Sequence, residues 1–223
     1  FHTDAAELDV RVREFVIAGW SGRDRSAVEH HIEELAAIGV PRPSTVPLYY
    51  RASQTLLTQD EEIQILGDES SGEVEPVLLR RQDEWWLTVG SDHTDRALEA
   101  RSVALAKQLC AKPIATHAWR WIDVADHADD LTLTSEIFED GRWVKYQSGA
   151  LAKIRPLMSL IDGYSSGRIT DGLVMFCGTL TVTPNARGQT IRGAPQMKLG
   201  LRDPRRDRAI EHAYRITPLP VVS

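Results

Sequence analysis

Glu73 and Glu75 stand two residues apart in Ser71-Gly-Glu-Val-Glu-Pro-Val-Leu-Leu79, and a second acidic stretch follows at Val89-Gly-Ser-Asp-His-Thr-Asp-Arg96. Side chains alternate faces along a strand, so both glutamates point the same way. Polar residues 80–84 separate the apolar runs 77–79 and 85–89, which reads as a hairpin. With its turn centred between Gln82 and Asp83, Glu73 falls opposite Asp92. Carboxylates crowded on one patch repel unless something positive binds them. An oxygen-only ligand set suits a hard cation such as Mg²⁺ or Mn²⁺. The plain alternative is an exposed acidic hairpin. Against it, small residues precede Glu73 and Asp92, as close approach to a ligand requires, and Glu-Val-Glu runs directly into an apolar strand.

His30-His31-Ile-Glu33-Glu34 is the second candidate. Val28, Ile32 and Leu35 form the apolar stripe of a helix, which places His31 and Glu34 together on one flank and His30 and Glu33 toward solvent. An i,i+3 pair can touch, so Glu34 can hold His31 in one tautomer as a base. A helix-surface ion pair is the plain reading of either pair. Lys107 and Lys112 flank Cys110; a lysine in such a stretch ordinarily snorkels to the surface. His93 has no companion in an HxH or HExxH pattern, so a zinc-hydrolase reading is weak, and no Gly-rich phosphate loop or Gly-x-Ser-x-Gly elbow is present.

The elements that must position these residues are mostly strands. Residues 10–17 alternate as a strand. Ser26-Ala-Val-Glu29 resembles a capping box opening a helix that ends at Gly39, with Pro41 and Pro43 beyond it. Residues 46–51 and 63–66 read as strands, and residues 53–59 as a short helix or irregular. Residues 96–108 have helical character, and Trp119, Trp121, Ile122 and Val124 read as core. Residues 131–138 and 142–146 flank the tight hairpin signal Asp140-Gly141. Residues 150–164 have helix-like apolar spacing despite Pro156. Residues 173–177, 180–183 and 196–199 read as strands in a tail otherwise rich in Gly, Pro and Arg. The balance is β-rich α+β over a single domain, 1–223.

The bulk properties narrow the function. A formal net charge of −6 argues against nucleic-acid and anionic-membrane partners, both of which need a basic surface. The densest basic run, residues 202–208, is interleaved with Asp and reads as a solvated loop. Cys110 and Cys177 lie in apolar runs without a CxxC pairing and read as reduced core residues. No apolar run is long enough to span a membrane. The first residues lack a basic region followed by an apolar one, so a cytoplasmic location without a signal peptide is expected.

Taken in order, the motifs resemble those of the fumarylacetoacetate hydrolase superfamily. That family carries Glu-x-Glu entering a strand, here Glu73-Val-Glu75. Its Gly-Asn-Asp-x-x-x-Arg is matched by Gly90-Ser-Asp92-His-Thr-Asp-Arg96. A Lys and a following Pro are matched approximately by Lys107 and Pro113. Asp140-Gly141 and Tyr146-Gln-Ser-Gly149 resemble its Asn-Gly hairpin and following Gln-x-Gly. Phe176-Cys-Gly-Thr179 resembles its Thr-Gly-Thr-Pro. His31-Ile-Glu-Glu34 before Pro47-Leu-Tyr-Tyr50 resembles its His-x-x-Glu helix and the strand after it. The matches are collinear over about residues 10–185. Departures are Ser91 for Asn, Leu180 for Pro, a shorter segment between Glu75 and Asp92, and the absence of Asn-Tyr before the helix histidine.

The resemblance implies a mixed β-sandwich or β-roll of the fumarylacetoacetase C-terminal-like type with a few short helices, as a homodimer. It implies Mg²⁺ or Mn²⁺ on Glu73, Glu75 and Asp92. Arg96, Gly178 and Thr179 would bind substrate, Lys107 would stabilise an oxyanion or donate a proton, and His31 with Glu34 would activate water. The implied activity is a metal-dependent hydrolase cleaving a C–C bond of a small 2-oxo acid or 1,3-dicarbonyl through an enolate. Decarboxylation, tautomerisation or hydration at the same site, or a non-catalytic small-molecule-binding relative, are the alternatives. Trp119, Trp121, Tyr146 and the residues after Pro184 are the candidates for pocket walls.

Overall fold

The structure, a computed structural model, describes residues 1–4, 6–37, 42–165 and 169–222; the side chains of His31, Glu34, Leu35 and Ala37 lie outside the described set. In chain order its elements are β1 Glu14–Gly19, α1 Arg25–Ala37, β2 Leu48–Ala52, β3 Leu57–Thr58, β4 Glu62–Leu66, β5 Ser70–Ser71, β6 Val74–Arg81, β7 Glu84–Ser91 and β8 Thr94–Asp95. Then follow α2 Arg96–Glu99, α3 Val103–Leu109, β9 Lys112–Pro113, β10 Trp119–Arg120, β11 Thr132–Glu139, β12 Arg142–Ala150, α4 Leu157–Ser165, β13 Leu173–Phe176, β14 Gln196–Asp203 and β15 Arg208–Leu219. The fold is α+β and β-rich.

One sheet has the order β10-β7-β6-β13-β1-β2 and a second the order β12-β11-β14-β15-β4. Within the first, β1 and β13 run parallel and β6 and β7 form an antiparallel hairpin. Its two faces feed different cores. Val16, Ala18, Val74, Leu78, Leu87 and Met175 pack against Leu133, Leu199, Leu201, Ile210 and Tyr214 of the second sheet. Phe15, Ile17, Val77, Leu79, Val174 and Phe176 bury the opposite face. The period-two alternation therefore carries Glu75 onto the face of Val77 and Leu79, at that face's open end.

The β6–β7 hairpin has the register expected from the sequence: Val74 faces Ser91 and Arg81 faces Glu84, with Gln82 in the left-handed region (φ 55°) closing the turn. Extending that pairing by one residue, the Asp92 N–H donates to the Glu73 carbonyl at 3.0 Å. Asp140 (φ 50°) and Gly141 (φ 79°) form the tight turn between β11 and β12.

Several local expectations are corrected. The N-cap of α1 is Asp24, whose Oδ1 accepts from the N–H groups of Ser26 (2.9 Å) and Ala27 (3.2 Å), rather than the Ser26 of a capping box. The expected stop at Gly39 and Pro41 lies outside the described residues. The helix foreseen over residues 150–164 is only α4, because Pro156 cannot continue a helix from its N-terminal side, and it stands just ahead of the first turn instead. Residues 180–183 make a single bridge, Gln147 to Val182, and no strand. Ile122 is exposed and Trp121 only half-buried, because residues 121–123 form a surface 3₁₀ turn. The basic run 202–208 closes the β14–β15 hairpin, and β15, at 12 residues, was not foreseen. Only Ile210, Tyr214 and Ile216 are buried along it, and the polar His212 shares their face, so its apolar alternation is diluted. Among the described residues, no helix is long and apolar enough to cross a membrane.

Gly90 is where β7 passes closest to its neighbours: a Cβ there would lie 2.6 Å from Phe176 Cζ and 2.9 Å from the Pro113 carbonyl oxygen. Gly90→Ala is expected to cost about 1–3 kcal/mol by overpacking, read as a lower urea midpoint. An unchanged midpoint would contradict this packing.

Candidate metal centre

The two glutamates flank one residue, Val74, whose backbone is held at both its N–H and its carbonyl. The Val74 N–H donates to Gln147 Oε1 at 2.9 Å, and the Val74 carbonyl accepts from the Thr179 hydroxyl at 2.8 Å. Gln147, fully buried on β12, also accepts from the Ser135 hydroxyl (3.0 Å) and donates to Thr179 Oγ1 (2.8 Å) and the Leu180 carbonyl (2.7 Å). Both acceptor positions and both N–H groups of that amide are therefore filled. The Gly178 N–H donates to Glu75 Oε2 at 2.7 Å. Gly178 has φ 97°, and a Cβ there would overlap the Ser21 hydroxyl, so the residue must be glycine.

So held, Glu73, Glu75 and Asp92 present one carboxylate oxygen each, all within 4.8 Å of one another. An octahedral cation with oxygens at about 2.1 Å holds them about 3 Å apart in cis positions and about 4.2 Å apart in trans. Three anionic oxygens fit a hard dication, and no thiolate or imidazole joins them.

Cations already surround the trio. The Lys107 ammonium, buried, donates to Asp92 Oδ2. The Lys112 ammonium, wholly buried, lies 3.1 Å from Asp92 Oδ1 and donates to the His93 carbonyl. Arg96 donates from Nε to Ser71 Oγ (2.7 Å), from Nη1 to Glu99 (2.7 Å) and from Nη2 to the Ser71 carbonyl (3.3 Å), and its Nη2 is 3.5 Å from Glu73. Burial pushes the Asp92 carboxyl up, but Lys107 and Lys112 outweigh it and hold the group below the usual carboxylate range. Glu75 goes the other way: burial, then Asp92, push it well above the ordinary value against the pull of Lys107. Lys107 is pushed down by burial and up by Asp92, Glu73 and Glu75, with the net upward, so it is a charged ammonium.

Beneath the trio runs a buried polar chain. Ser70 Oγ lies 2.7 Å from His93 Nε2, His93 Nδ1 lies 3.0 Å from the Tyr214 hydroxyl, and that hydroxyl lies 2.8 Å from Ser91 Oγ. Both ring nitrogens of His93 are thereby engaged, which removes it as a ligand. Burial, with Lys112 and Arg96 adding, pushes its pKa down to about 3, so the ring is neutral. Ser91 is bonded into this chain rather than into the carboxylate trio.

The structure thus brings together Glu73, Glu75, Asp92, Arg96, Lys107, Gly178 and Thr179. Within it the Thr179 hydroxyl donates to the Val74 carbonyl, and Arg96 is bonded to Ser71 and Glu99 and lies beside Glu73. His31 and Glu34 lie on α1, and their side chains are outside the described residues; His30 and Glu33 are exposed and Ile32 is buried. Of the wall candidates, Tyr146 lies behind Glu73, its hydroxyl 3.3 Å from the Arg192 N–H. Trp119 pairs with Leu87, five residues down β7 from Asp92, and packs under Arg208 at 4.4 Å. Lys112 and the amide of Gln147 were not assigned site roles from the sequence; the only signal for Lys112 was a lysine inside the apolar run Leu-Cys-Ala-Lys-Pro-Ile-Ala. Two surface hollows, of about 470 and 400 Å³, are lined elsewhere, by residues including Thr58 and Asp60 and by residues including Arg23 and His127.

The chain belongs to the DUF2848 family, described as a protein of unknown function, whose model matches residues 18–214. Its fold is that of the fumarylacetoacetate hydrolase superfamily. A protein from Burkholderia cenocepacia assigned as a fumarylpyruvate hydrolase is 17% identical with a TM-score of 0.67, over 98% of this chain and 94% of that one. A 2-keto-3-deoxy-D-arabinonate dehydratase complexed with magnesium and 2,5-dioxopentanoate is 14% identical with a TM-score of 0.64, over 93% and 74%. The fumarylacetoacetate hydrolase of psychrophilic Exiguobacterium antarcticum is 13% identical with a TM-score of 0.61, over 93% and 76%. Comparison with curated proteins finds no match.

Gln147→Met keeps the side-chain length and strips the amide from the Val74 clamp. Each buried group left unpaired costs about 1–3 kcal/mol, so a loss of at least about 3 kcal/mol in urea unfolding is expected. A wild-type midpoint would show that Gln147 does not hold this segment.

Proposed function

We propose that this protein is an enzyme that binds Mg²⁺ or Mn²⁺ on Glu73, Glu75 and Asp92 and acts on a small 2-oxo acid or 1,3-dicarbonyl, cleaving a C–C bond by hydrolysis. The observation that carries the reading is the carboxylate trio itself, its oxygens within 4.8 Å of one another beside a buried lysine. A cation bound there supplies Lewis acidity, which polarises a carbonyl and stabilises an enolate. The chain supplies the rest. Lys107, charged and facing the trio, steadies the developing oxyanion. Arg96 is the charged donor for a substrate carboxylate. Gly178 fixes Glu75, and Thr179 contributes by fixing Val74. His31, oriented by Glu34, takes a proton from water as the water adds to the acyl carbonyl; the C–C bond then breaks, its electron pair passes to the departing enolate carbon, and that carbon is protonated. The reading includes a homodimer, a cytoplasmic location and no nucleic-acid or membrane partner.

A second reading keeps the trio and changes the reaction to dehydration or hydration, decarboxylation or tautomerisation. A dehydratase complexed with magnesium and 2,5-dioxopentanoate shares the fold, which supports it. Hydrolysis needs an activated water, so His31→Ala should abolish it, whereas decarboxylation should persist. Near-full turnover in His31→Ala would exclude the hydrolytic mechanism.

Metal binding is tested first. Calorimetric titration with Mg²⁺ should show one site in the wild type. Removing a carboxylate from the trio in Glu73→Ala, Asp92→Ala or Glu75→Gln should weaken it by at least about 100-fold, more than outer groups usually contribute. Glu75→Gln still accepts the Gly178 N–H and keeps the fold intact for the comparison. Undiminished binding in all three, or a melting temperature indifferent to EDTA, Mg²⁺ and Mn²⁺, would leave only a non-catalytic binding module.

A further inference from the structure

The residue after β1 is an outlier. Trp20 has φ 59°, in the left-handed region that glycine adopts freely and a bulky side chain rarely does. Such strain persists only where the surroundings hold it, and it gathers at ligand sites. Its position fits that pattern. Trp20 lies between Gly19, which ends β1, and Ser21, which packs against Gly178, the donor to Glu75.

Beside it stands Tyr50 on β2. The register pairs Tyr50 with Ile17, and Tyr50 packs with Phe176 and Val77 on the face whose end carries Glu75. The Trp20 indole, which can only donate, is hydrogen-bonded to the Tyr50 hydroxyl. A Cβ on Gly19 would lie 2.9 Å from Tyr50 Cε2, so the missing side chain lets the ring lie over the end of β1. The Lys107 ammonium that donates to Asp92 is 5.8 Å from the centre of the same ring. Both aromatics are only half-buried, which leaves ring surface uncovered. The cations that reach the carboxylates, Arg96, Lys107 and Lys112, are already committed to Glu73, Glu99 and Asp92.

We propose that Trp20 and Tyr50 form the wall that receives the non-reacting end of the substrate, and that this end is a planar or apolar group rather than a second carboxylate. The inference rests on the metal and oxo-acid reading above and narrows it to monocarboxylic 2-oxo acids with an aryl or alkyl tail. A second carboxylate would meet ring faces, whose negative quadrupole repels it, and would have to draw Lys107 away from Asp92. An aryl tail stacks on the same rings and leaves Lys107 in place.

Calorimetry with Mg²⁺ present, using phenylpyruvate, 2-oxoglutarate and oxalate as probes, tests this. Oxalate has the two chelating oxygens and no tail, so it reports the metal end alone. Phenylpyruvate should bind at least tenfold more tightly than 2-oxoglutarate. Trp20→Gly, which relaxes the backbone while removing the ring, and Tyr50→Leu should each erase that tenfold preference and leave oxalate affinity within twofold of wild type. Tighter binding of 2-oxoglutarate, or an unchanged preference in both variants, overturns the wall while the metal reading stands. Loss of oxalate binding in both variants makes the pair a structural support of the metal end and overturns it too. Failure of oxalate to bind the Mg²⁺-loaded wild type removes the oxo-acid reading and this inference with it.

Discussion

Three carboxylates converge at the end of a sheet face where little water reaches them, and the cost of that convergence shapes the surrounding structure. Two unit charges 4 Å apart interact by about 4 kcal/mol at the effective dielectric of a protein surface, and more in drier surroundings. Moving the segments that carry the acids apart would relieve the repulsion, but their hydrogen bonds oppose it. The backbone of Val74, between Glu73 and Glu75, is clamped by Gln147 and Thr179, Glu75 is tied to the Gly178 N–H, and the Asp92 N–H is tied to the Glu73 carbonyl. The acids are held as a set, and the charge must be met by something brought to them.

What is brought to them comes from sequence-distant elements. Lys107 arrives from α3 and Lys112 from β9, each taking one oxygen of Asp92, while Arg96 from α2 supports Glu73. A buried ion pair rarely adds stability over an apolar contact, but breaking one leaves a costly unpaired charge. The arrangement therefore makes Asp92 difficult to displace, whatever it adds to the net stability. The neutral chain of Ser70, His93, Tyr214 and Ser91 below answers a different need: it satisfies polar groups in the inter-sheet core without adding charge next to the lysines.

The shared fold does not choose the reaction. Hydrolases and a dehydratase have the same architecture at 13–17% identity. The trio and its lysine describe an environment for stabilising negative charge on oxygen, and that serves several bond cleavages equally. In the proposed reading the choice lies with the base and the pocket wall, assigned there to α1, the end of β1 and β2, outside the carboxylate cluster.

The hairpin was legible from residue order because its determinants are local. Two apolar runs, a polar turn at Gln82-Asp83 and a period of two place Glu73 opposite Asp92 without reference to anything else in the chain. The Asp140-Gly141 turn and the collinear motifs were legible on the same terms. Tertiary structure decided the remainder. A lone lysine between Cys110 and Pro113 reads as a surface residue until Asp92, twenty positions away, is seen to bury it. The 12-residue β15 has too few inward apolar residues to announce itself and exists because β14 and β4 flank it. Sequence determined which carboxylates share a face, since side-chain direction follows from strand period. Only the fold decided which cations neutralise them and which rings stand beside them, since the burial of a charge and the width of a cleft are set by groups far apart along the chain.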